Sequence, residues 1–512
     1  MLSHLEGRSD MAKKAEHVII LGGGPGGLAT GHEVSTKGGK VTVLEKNDFV
    51  GGLCRTIEDK GYRFDLGGHR WFSKNEDLNN WFRHLMEGEI VIVERISRIY
   101  YNRKFFFYPI RFSDIFKNTG PITIVYAGLA FFWSAISQAL FNKPIITMKQ
   151  AYVSQFGTKL YDMFFRMYSE KVWGKPCEEL SADWVSQRSK GLSVWTTVRD
   201  ALIGSNNKVT SLIDEFMYPQ YGYMRIPERL TEDIKSSGSD VLLESAVSRI
   251  QYHGPNDFEV FYVNSNKEEK SVRGDSVVST IPFGYLAQIL EPACSQEVKD
   301  AANALEFRDL VTVNVMIKRK QVSPDTWLYI QDDDIIFGRF HEPKNWSKDM
   351  VPDDEHTSLV LECFCTAGDD IWNMSDEDIS ERCLRDLVDK LKFIKEDEYE
   401  GSTVIRTKYC YPVYDLEYAG KLKVINEYLA GFEGLNISGR GGIFRYNNAD
   451  HSVEMGLMLG QKLLGYDIDH MAVNTEDDYQ EIIGENEARR DKYIFELPEN
   501  FIARQEKEAG AA

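Results

Sequence analysis

The chain has 512 residues, of which 43% are hydrophobic and 27% charged, and this balance excludes a disordered chain, a collagen and a small disulfide scaffold. Its 60 basic and 79 acidic residues give a formal net charge of −19. A surface of that sign repels a phosphate backbone, so nucleic acid is not expected as a partner, and an anionic ligand would need a local group of arginines. At roughly 150 residues per domain, the length favours about three modules.

The cysteines indicate a reducing compartment. They number seven, an odd count, and form no CxxC pair, so neither a disulfide framework nor a zinc or other metal site is expected. Residues 1–10 lack the apolar core of a signal peptide. We therefore expect a cytoplasmic protein, with membrane association as an alternative that depends on one apolar stretch described below.

A strand, a glycine-rich turn and a helix open the chain. Residues 18–21 are a short apolar run typical of a buried parallel strand, and residues 28–35 continue as a helix. Between them Gly22, Gly24 and Gly27 fit the GxGxxG fingerprint in its required context. The first glycine permits the turn, the second admits the pyrophosphate to the backbone, and the third lets the helix pack on the strand.

A second predicted strand, residues 41–44, ends at Glu45, 18 residues after Gly27. A carboxylate at this point can accept hydrogen bonds from the hydroxyl groups of a ribose. The strand, turn, helix and acid together predict a dinucleotide site. These features fit either NAD or FAD.

Residues 122–141 are an apolar stretch without a formal charge, inside a region from about 110 to 215 where helical patterns dominate. The stretch is about long enough to span a bilayer. Three interpretations are open: a helix buried in protein or facing a groove, a helix resting on one face of a membrane, and a true span. A span would separate segments that must build one site, which disfavours it.

Strands dominate the second half of the chain. Residues 240–282 alternate in hydrophobicity and end in a buried strand, and residues 307–365 are again strand-rich. A strand at 435–438 leads through a glycine-rich turn to a helix over about 452–464, and the tail from about 475 is charged.

Three segments carry a resemblance that decides between the two cofactors. Residues 46–55 (KNDFVGGLCR), 62–69 (YRFDLGGH) and 439–442 (GRGG) resemble the flavoprotein pattern of the amine oxidase, protoporphyrinogen oxidase and UDP-galactopyranose mutase superfamily. The resemblance implies FAD, active in its reduced form, with NAD(P)H as a candidate reductant. The expected cofactor-binding residues are Gly22, Gly24, Gly26, Gly27, Glu45, Lys46, Gly52, Leu53, Arg55, Gly68, Val247, Gly439, Arg440, Asp450, His451 and Ser452.

Four further segments resemble UDP-galactopyranose mutases, namely residues 65–73, 95–97 with 108–109, 156–188, and 446–452. The resemblance implies that Arg188 and Arg339 grip a substrate diphosphate and that His69 lies beside the flavin, and these three are the candidate catalytic residues. It implies substrate-binding roles for Arg95, Tyr108, Trp173, Tyr329, Tyr411, Tyr446 and Asn448.

The implied activity interconverts the pyranose and furanose forms of a nucleotide sugar or sugar diphosphate, with N5 of reduced FAD as the nucleophile, as in cell-surface glycan biosynthesis. The sequence departs from the mutase pattern at residues 72–75, at Ala449 and around residues 203–219, so the sugar and its nucleotide or lipid carrier stay open. The rival interpretation is an FAD-dependent oxidase, dehydrogenase or desaturase that acts on an apolar or lipid-linked substrate.

The expected fold class is α/β, a discontinuous Rossmann-type FAD domain with a helical insertion and an antiparallel-sheet substrate domain. The predicted segments are 11–100, 220–290 and 405–470 for the FAD domain, 101–219 for the helical substrate or lid domain, 291–404 for the antiparallel sheet, and 471–512 for the tail. The oligomeric state is not predicted.

Overall fold

The computed structural model describes residues 14–108, 112–141, 144–185 and 215–474. Its strands are β1 His17–Leu21, β2 Lys40–Leu44, β3 Thr56–Asp59, β4 Tyr62–Asp65, β5 Ile90–Glu94, β6 Ser97–Tyr101, β7 Lys104–Phe107, β8 Glu215–Pro219, β9 Asp240–Leu242, β10 Ala246–Gly254, β11 Asp257–Val263, β12 Glu269–Gly274, β13 Ser276–Ser279, β14 Leu290–Glu291, β15 Phe307–Ile317, β16 Trp327–Ile330, β17 Arg339–His341, β18 Thr357–Cys365, β19 Tyr399–Pro412 and β20 Leu435–Ile437.

The α-helices of the described ranges follow the same order. They are α1 Pro25–Thr36, α2 Glu76–Met86, α3 Phe112–Thr119, α4 Pro121–Phe141, α5 Met148–Phe164, α6 Arg166–Trp173, α7 Arg225–Ser236, α8 Phe283–Ile289, α9 Gln296–Asn303, α10 Asp370–Asn373, α11 Asp376–Arg385, α12 Tyr418–Leu429, α13 Gly439–Gly442 and α14 Ala449–Leu463.

A five-stranded parallel sheet with the order β20-β13-β1-β2-β9 forms the Rossmann-type part of the molecule. Its strands come from three distant stretches of the chain because parallel neighbours need crossover connections. The strands β1 and β2 are apolar on both faces, and their buried positions agree with the predicted apolar runs. The predicted discontinuous α/β fold is confirmed.

The helices α1 and α14 pack closely against each other. A Cβ atom added at Gly456 would lie 2.3 Å from the carbonyl oxygen of Gly26, and one at Gly460 would lie 2.6 Å from the Cβ of Glu33. Only glycine permits backbones to approach this closely. The contact brings the N-terminus of α14 next to the glycine turn that follows β1.

A seven-stranded sheet with the order β19-β15-β18-β17-β16-β6-β7 forms the second large layer. It is antiparallel except for the parallel pair β16 and β6. In chain order, the first two strands of this sheet are β6 and β7. They lie before residues 291–404, the segment from which the sheet was predicted. A four-stranded sheet, β12-β11-β10-β14, and the two hairpin-like pairs β3-β4 and β5-β8 complete the pattern.

The apolar stretch that the sequence left open is the helix α4. Ala127 is buried, and the Ser134 hydroxyl donates to the Val153 carbonyl oxygen of α5 at 2.9 Å. The opposite face is open, with Ile122 85% and Trp133 74% exposed. The interpretation of residues 122–141 as a helix buried in protein is therefore wrong for the exposed face of α4. Over the part of the chain that the structure describes, no helix has the length and apolarity needed to cross a membrane.

Candidate functional site

The glycine turn between β1 and α1 leaves room for a ligand next to the backbone. Gly22 has φ +101°, and a Cβ there would lie 2.6 Å from the Thr280 hydroxyl oxygen. A Cβ at Gly27 would lie 2.4 Å from the carbonyl oxygen of Gly22, whereas one at Gly24 would meet nothing within 4 Å. The three glycines thus have the turn, packing and open-approach geometry of the fingerprint.

The carboxylate of Glu45, at the end of β2, lies under this turn. It accepts hydrogen bonds from the backbone N–H of Gly23 at 2.8 Å and from the backbone and side-chain nitrogens of Asn47 at 2.9 and 2.7 Å. An ionised carboxylate has about four acceptor positions, so one remains for a ribose hydroxyl.

A cleft of about 760 Å³ extends from the turn along the carboxyl ends of the parallel strands. The predicted cofactor residues that line it are Gly22, Gly24, Gly26, Glu45, Lys46, Gly52, Leu53, Arg55, Val247, Gly439, Arg440 and Ser452. The position agrees with the rule that open α/β sheets bind ligands outside the carboxyl ends of their strands.

Four residues predicted to bind the cofactor do not line the cleft. Gly27 packs under the turn, and Gly68 lines a neighbouring cavity. Asp450 and His451 lie in the first turn of α14, whose N-cap is Asn448, and the His451 Nδ1 accepts from the Asn448 backbone N–H at 3.3 Å. His451 therefore orders the helix end, and the cofactor-binding roles of Asp450 and His451 stay predictions.

A second cavity, of about 220 Å³, adjoins the cleft. The residues that line both spaces are Leu53, Leu66, His69, Thr407, Arg440, Asn448 and Ala449. A reactive ring placed at the end of the cleft would therefore face the second cavity, which makes the cavity the candidate substrate site.

One wall of the cavity is a row of side chains across the seven-stranded sheet. Ile99, Tyr329, Arg339 and Glu362 are directly opposite one another on β6, β16, β17 and β18. Residues that are opposite in register point to the same face of a sheet. Strand pairing therefore assembles Tyr329, Arg339 and Glu362 from segments that are distant in sequence.

Arg339 is held by a buried ion pair. Its Nε and Nη2 atoms donate to the two carboxylate oxygens of Glu362 at 2.8 and 2.5 Å, and Nη2 also lies 3.4 Å from the Tyr411 hydroxyl. The Glu362 side chain is fully buried. Burial is the largest single effect and would lower the pKa of Arg339. The charge of Glu362, its hydrogen bond and the interactions with Tyr168 and Tyr411 together raise that pKa well above the ordinary value. The guanidinium is therefore permanently charged and fixed in orientation.

His69 occupies the junction between the cleft and the cavity. Burial, and then the charges of Arg440 and Arg339, lower the pKa of His69 to about 3, so the imidazole is neutral near pH 7. Its Nδ1 atom is buried and has no hydrogen-bond partner among the described residues. A buried nitrogen without a partner is costly, and a flavin at the end of the cleft would offer it one.

Arg440 also joins the two spaces. Its Nε and Nη1 atoms donate to the carbonyl oxygens of Asn447 at 2.7 Å and Cys410 at 3.0 Å, and the guanidinium lies 4.8 Å from the centre of the Tyr446 ring. Tyr446 in turn stacks on Tyr411 with ring centres 5.7 Å apart. The cation is thus fixed against the aromatic wall of the cavity.

Two of the predicted site residues that the structure describes are not on the cavity surface. The Arg95 guanidinium lies against Tyr108 and Trp327, at 5.9 and 5.4 Å from the ring centres, and does not line the cavity. Trp173 lies behind the wall, 6.3 Å from Tyr411 between ring centres, and is 2% exposed. Neither residue lines the cavity, and their roles in substrate binding stay predictions. Arg188 lies outside the described residues.

The remaining predicted substrate residues, Tyr108, Tyr329, Tyr411, Tyr446 and Asn448, line the cavity. Several residues there were not predicted, namely Arg70, Tyr152, Phe164, Phe165, Tyr168, Trp184, Trp327 and Gln331. Glu362 was missed as well, although a single acid in the apolar strand SLVLECFC could have drawn attention to it. Among the described residues no group of His, Cys, Asp or Glu side chains could hold a metal ion.

The loop that carries His69 is anchored by Asp65. The Asp65 carboxylate accepts from the hydroxyls of Thr56 and Tyr218 at 2.5 and 2.6 Å and from the backbone N–H of Tyr223 at 3.1 Å. Burial raises the pKa of Asp65 to about 6, while these three donors oppose the rise. The network ties the 65–69 loop to the segment around β8.

The fold and the cleft define a class of protein, a Rossmann-like α/β enzyme with a dinucleotide site. A model of the NAD(P)-binding Rossmann-like domain matches residues 20–85, and a model of the flavin containing amine oxidoreductases matches residues 137–423, more than half of the chain. The chain belongs to the flavin containing amine oxidoreductase family. It is a flavin-dependent enzyme, and its cofactor is FAD.

Solved structures of this architecture cover most of the chain. A reduced UDP-galactopyranose mutase is similar with a TM-score of 0.76 and 22% identity, over 90% of this chain and 98% of that one. A putative protoporphyrinogen oxidase from Exiguobacterium sp. 255-15 has a TM-score of 0.67 and 17% identity, over 88% and 99% of the two chains. At these identities the similarity concerns the fold.

Curated relatives match over a short segment. A phytoene desaturase of Phycomyces blakesleeanus is 54% identical over 52 residues, which are 10% of this chain and 9% of the relative. A phytoene desaturase of Fusarium fujikuroi is 49% identical over 59 residues, 12% of this chain and 10% of the relative. The matched segments thus span about a tenth of these proteins.

Proposed function

We propose that the protein is a flavin-dependent mutase that interconverts the pyranose and furanose forms of a nucleotide sugar or sugar diphosphate. The observation that carries this proposal is the fixed guanidinium of Arg339 in a tyrosine-rich cavity next to the flavin cleft. Arg70 and Arg440 line the same cavity. In a chain of net charge −19, three arginines around one cavity favour an anionic ligand.

The tyrosines of the cavity support a polar ligand. The side chains of Tyr108, Tyr168, Tyr329, Tyr411 and Tyr446 all line it. Phenol groups offer both a donor and an acceptor on a rigid ring, which suits sugar hydroxyls and phosphate oxygens. A wholly apolar ligand would offer no hydrogen bond to these hydroxyl groups and no counter-charge to the three cations.

The protein's part in the reaction is binding and orientation. Reduced FAD, when bound, would supply a nucleophilic N5 atom directed at the anomeric carbon. Arg339 would hold the diphosphate close while it is detached from the sugar, since a guanidinium binds phosphate oxygens in a fixed geometry. Neutral His69 would accept or donate one hydrogen bond at the flavin edge rather than act as a general base. Arg188 is proposed as a second phosphate ligand, and NAD(P)H as the reductant.

A second candidate is an FAD-dependent oxidase, dehydrogenase or desaturase with an apolar or lipid-linked substrate. It is favoured by the segments shared with phytoene desaturases and by Tyr152, Phe164 and Phe165, which give one part of the cavity an aromatic lining. In this case the role of Arg339 would be structural, as the partner of Glu362 across β17 and β18.

Turnover assays distinguish the two candidates. The purified protein is incubated anaerobically with UDP-galactose or UDP-arabinose, with and without dithionite, and the products are separated by chromatography. If the protein is the mutase, product should form only when the flavin is reduced. Replacing dithionite with NADPH tests the proposed reductant. Bleaching of oxidised flavin by an apolar polyene, with no sugar product under any condition, would favour the second candidate.

A binding assay tests the role of Arg339. We expect Arg339→Met to weaken UDP binding at least ~10-fold, as loss of a charge-assisted pair to phosphate implies, while the visible flavin spectrum stays. Arg385→Met, on the exposed helix α11 with a side chain 57% exposed, is the matched control. Equal UDP affinity of the two variants would contradict the proposed phosphate contact.

A further inference from the structure

The helix α4 presents an apolar stripe to solvent. Its exposed side chains recur at intervals of three, four or seven residues, which is the spacing of one helix face. They are Ile122, Val125, Tyr126, Leu129, Phe132, Trp133 and Leu140, each more than half exposed, and Ile145 and Ile146 continue the surface beyond the helix. We call this surface the α4 stripe.

The stripe is held rigidly because the opposite face of α4 is seated on α5. Gly157 of α5 has φ +75°, and a Cβ there would lie 2.8 Å from the Cα of Phe131. This close approach and the hydrogen bond from Ser134 to Val153 fix the rotation of α4 about its axis. A contiguous exposed apolar surface of this kind marks an interaction site in a folded protein.

The stretch of sequence that carries the stripe is net basic, unlike the chain as a whole. Residues 103–159 contain seven basic residues and one acidic residue, in a chain of net charge −19. Arg103 and Lys149 form ion pairs with Asp334 and Glu178. The described side chains of Lys104 and Lys117 are exposed and form no ion pair with a described residue. A basic rim around an apolar stripe complements an anionic lipid surface.

We propose that the α4 stripe docks the protein onto the surface of an anionic lipid bilayer. The apolar side chains enter the boundary between headgroups and acyl chains, and the exposed Lys104 and Lys117 contact lipid phosphates. A second copy of the chain fits less well as the occupant, because the same surface would offer no anionic groups to the exposed Lys104 and Lys117. The inference is independent of which reaction the flavin site performs.

The docked orientation has a consequence for the substrate cavity. Tyr152 of α5 and Phe164 at its end line that cavity, and α5 also carries α4. A single helix layer therefore lies between the bilayer-facing stripe and the cavity. This geometry brings the cavity near the membrane surface on which the protein rests.

Vesicle flotation of the full-length FAD-bound protein tests the proposal. We expect the protein to float with vesicles of phosphatidylcholine and phosphatidylglycerol in equal amounts, and to float less with phosphatidylcholine alone or in high salt. The double change Phe132→Ser and Trp133→Ser should lower the bound fraction at least ~10-fold, since each buried apolar side chain contributes strongly to interfacial binding. Ile92→Ser is the matched control, because Ile92 is 58% exposed on β5, away from the stripe.

A fluorescent label provides a measurement that does not depend on apolar-to-polar changes. All seven native cysteines are buried, so an environment-sensitive dye on Leu129→Cys reports the stripe alone. Its emission should shift to the blue when anionic vesicles are added, and Lys117→Glu should weaken this response. Absence of flotation in the wild-type protein together with absence of a blue shift in the labelled Leu129→Cys protein would overturn the proposal. A stripe-dependent dimer on size-exclusion chromatography without vesicle binding would overturn it in favour of a second copy.

Discussion

The buried pair of Arg339 and Glu362 allows a quantitative test of how the cavity is built. Removing one partner leaves the other charge in a protein interior, and such single changes cost about 3–5 kcal/mol. Arg339→Met leaves the fully buried carboxylate of Glu362 without its partner, and Glu362→Leu leaves the guanidinium without its partner. Each single change is therefore expected to lower the free energy of unfolding by about 3–5 kcal/mol.

The double change should cost less than either single change. Replacing a buried ion pair by apolar side chains of similar volume is often neutral, because the desolvation of both charges is removed together. Urea unfolding of the wild type, the two single variants and the double variant, followed by tryptophan fluorescence, gives the coupling energy. Additive losses in the double variant would show that the two groups do not interact as the 2.5 and 2.8 Å distances require.

Three further outcomes are expected. Gly27→Ala should abolish FAD retention on purification, since its Cβ would lie 2.4 Å from the carbonyl oxygen of Gly22, whereas Gly420→Ala, with nothing within 4 Å, should retain the flavin. His69→Ala should shift the flavin reduction potential, yet the wild-type activity should show no inflection near pH 6.5, because burial, Arg440 and Arg339 lower the pKa of His69 to about 3. An inflection there that disappears in His69→Ala would contradict the neutral imidazole. Burial raises the pKa of Asp450 to about 7 from its usual 3.8, so the native state binds that proton more tightly and loses stability as the pH rises from about 4 to 7. Asp450→Asn should therefore stabilise the FAD-free protein by up to about 4 kcal/mol above pH 7 and by nothing near pH 3, as judged by urea unfolding; equal stabilisation at both pH values would contradict the raised pKa.

The glycine turn and the acid that follows it could be recognised in the sequence because their signals are local. The turn from Gly22 to Gly27 and the acid Glu45 lie within one strand–helix–strand unit, so their spacing in sequence fixes their spacing in the fold. The start of α14 was placed a few residues too late, because the N-cap is Asn448 and the helix begins at Ala449. Helix ends are determined by side-chain capping that periodicity does not reveal.

The substrate cavity was predicted only in part. Tyr108, Tyr329, Tyr411 and Tyr446 reached the cavity as expected, whereas Arg95 and Trp173 lie behind it. Resemblance assigns a residue to a segment, but the direction of its side chain depends on packing against neighbours. The domain boundaries and the roles of the individual site residues stay predictions.

The sequence by itself determined the dinucleotide turn and the position of the apolar helix, because each is a contiguous run of residues. The choice of FAD and the discontinuous α/β fold came from several short segments read together. Only the tertiary structure decided what surrounds Arg339. Its partner Glu362 faces it because β17 and β18 pair in one register, and the same register across β16 adds Tyr329. Strand register depends on the whole sheet, and shifting it by one residue would turn each of these side chains to the opposite face.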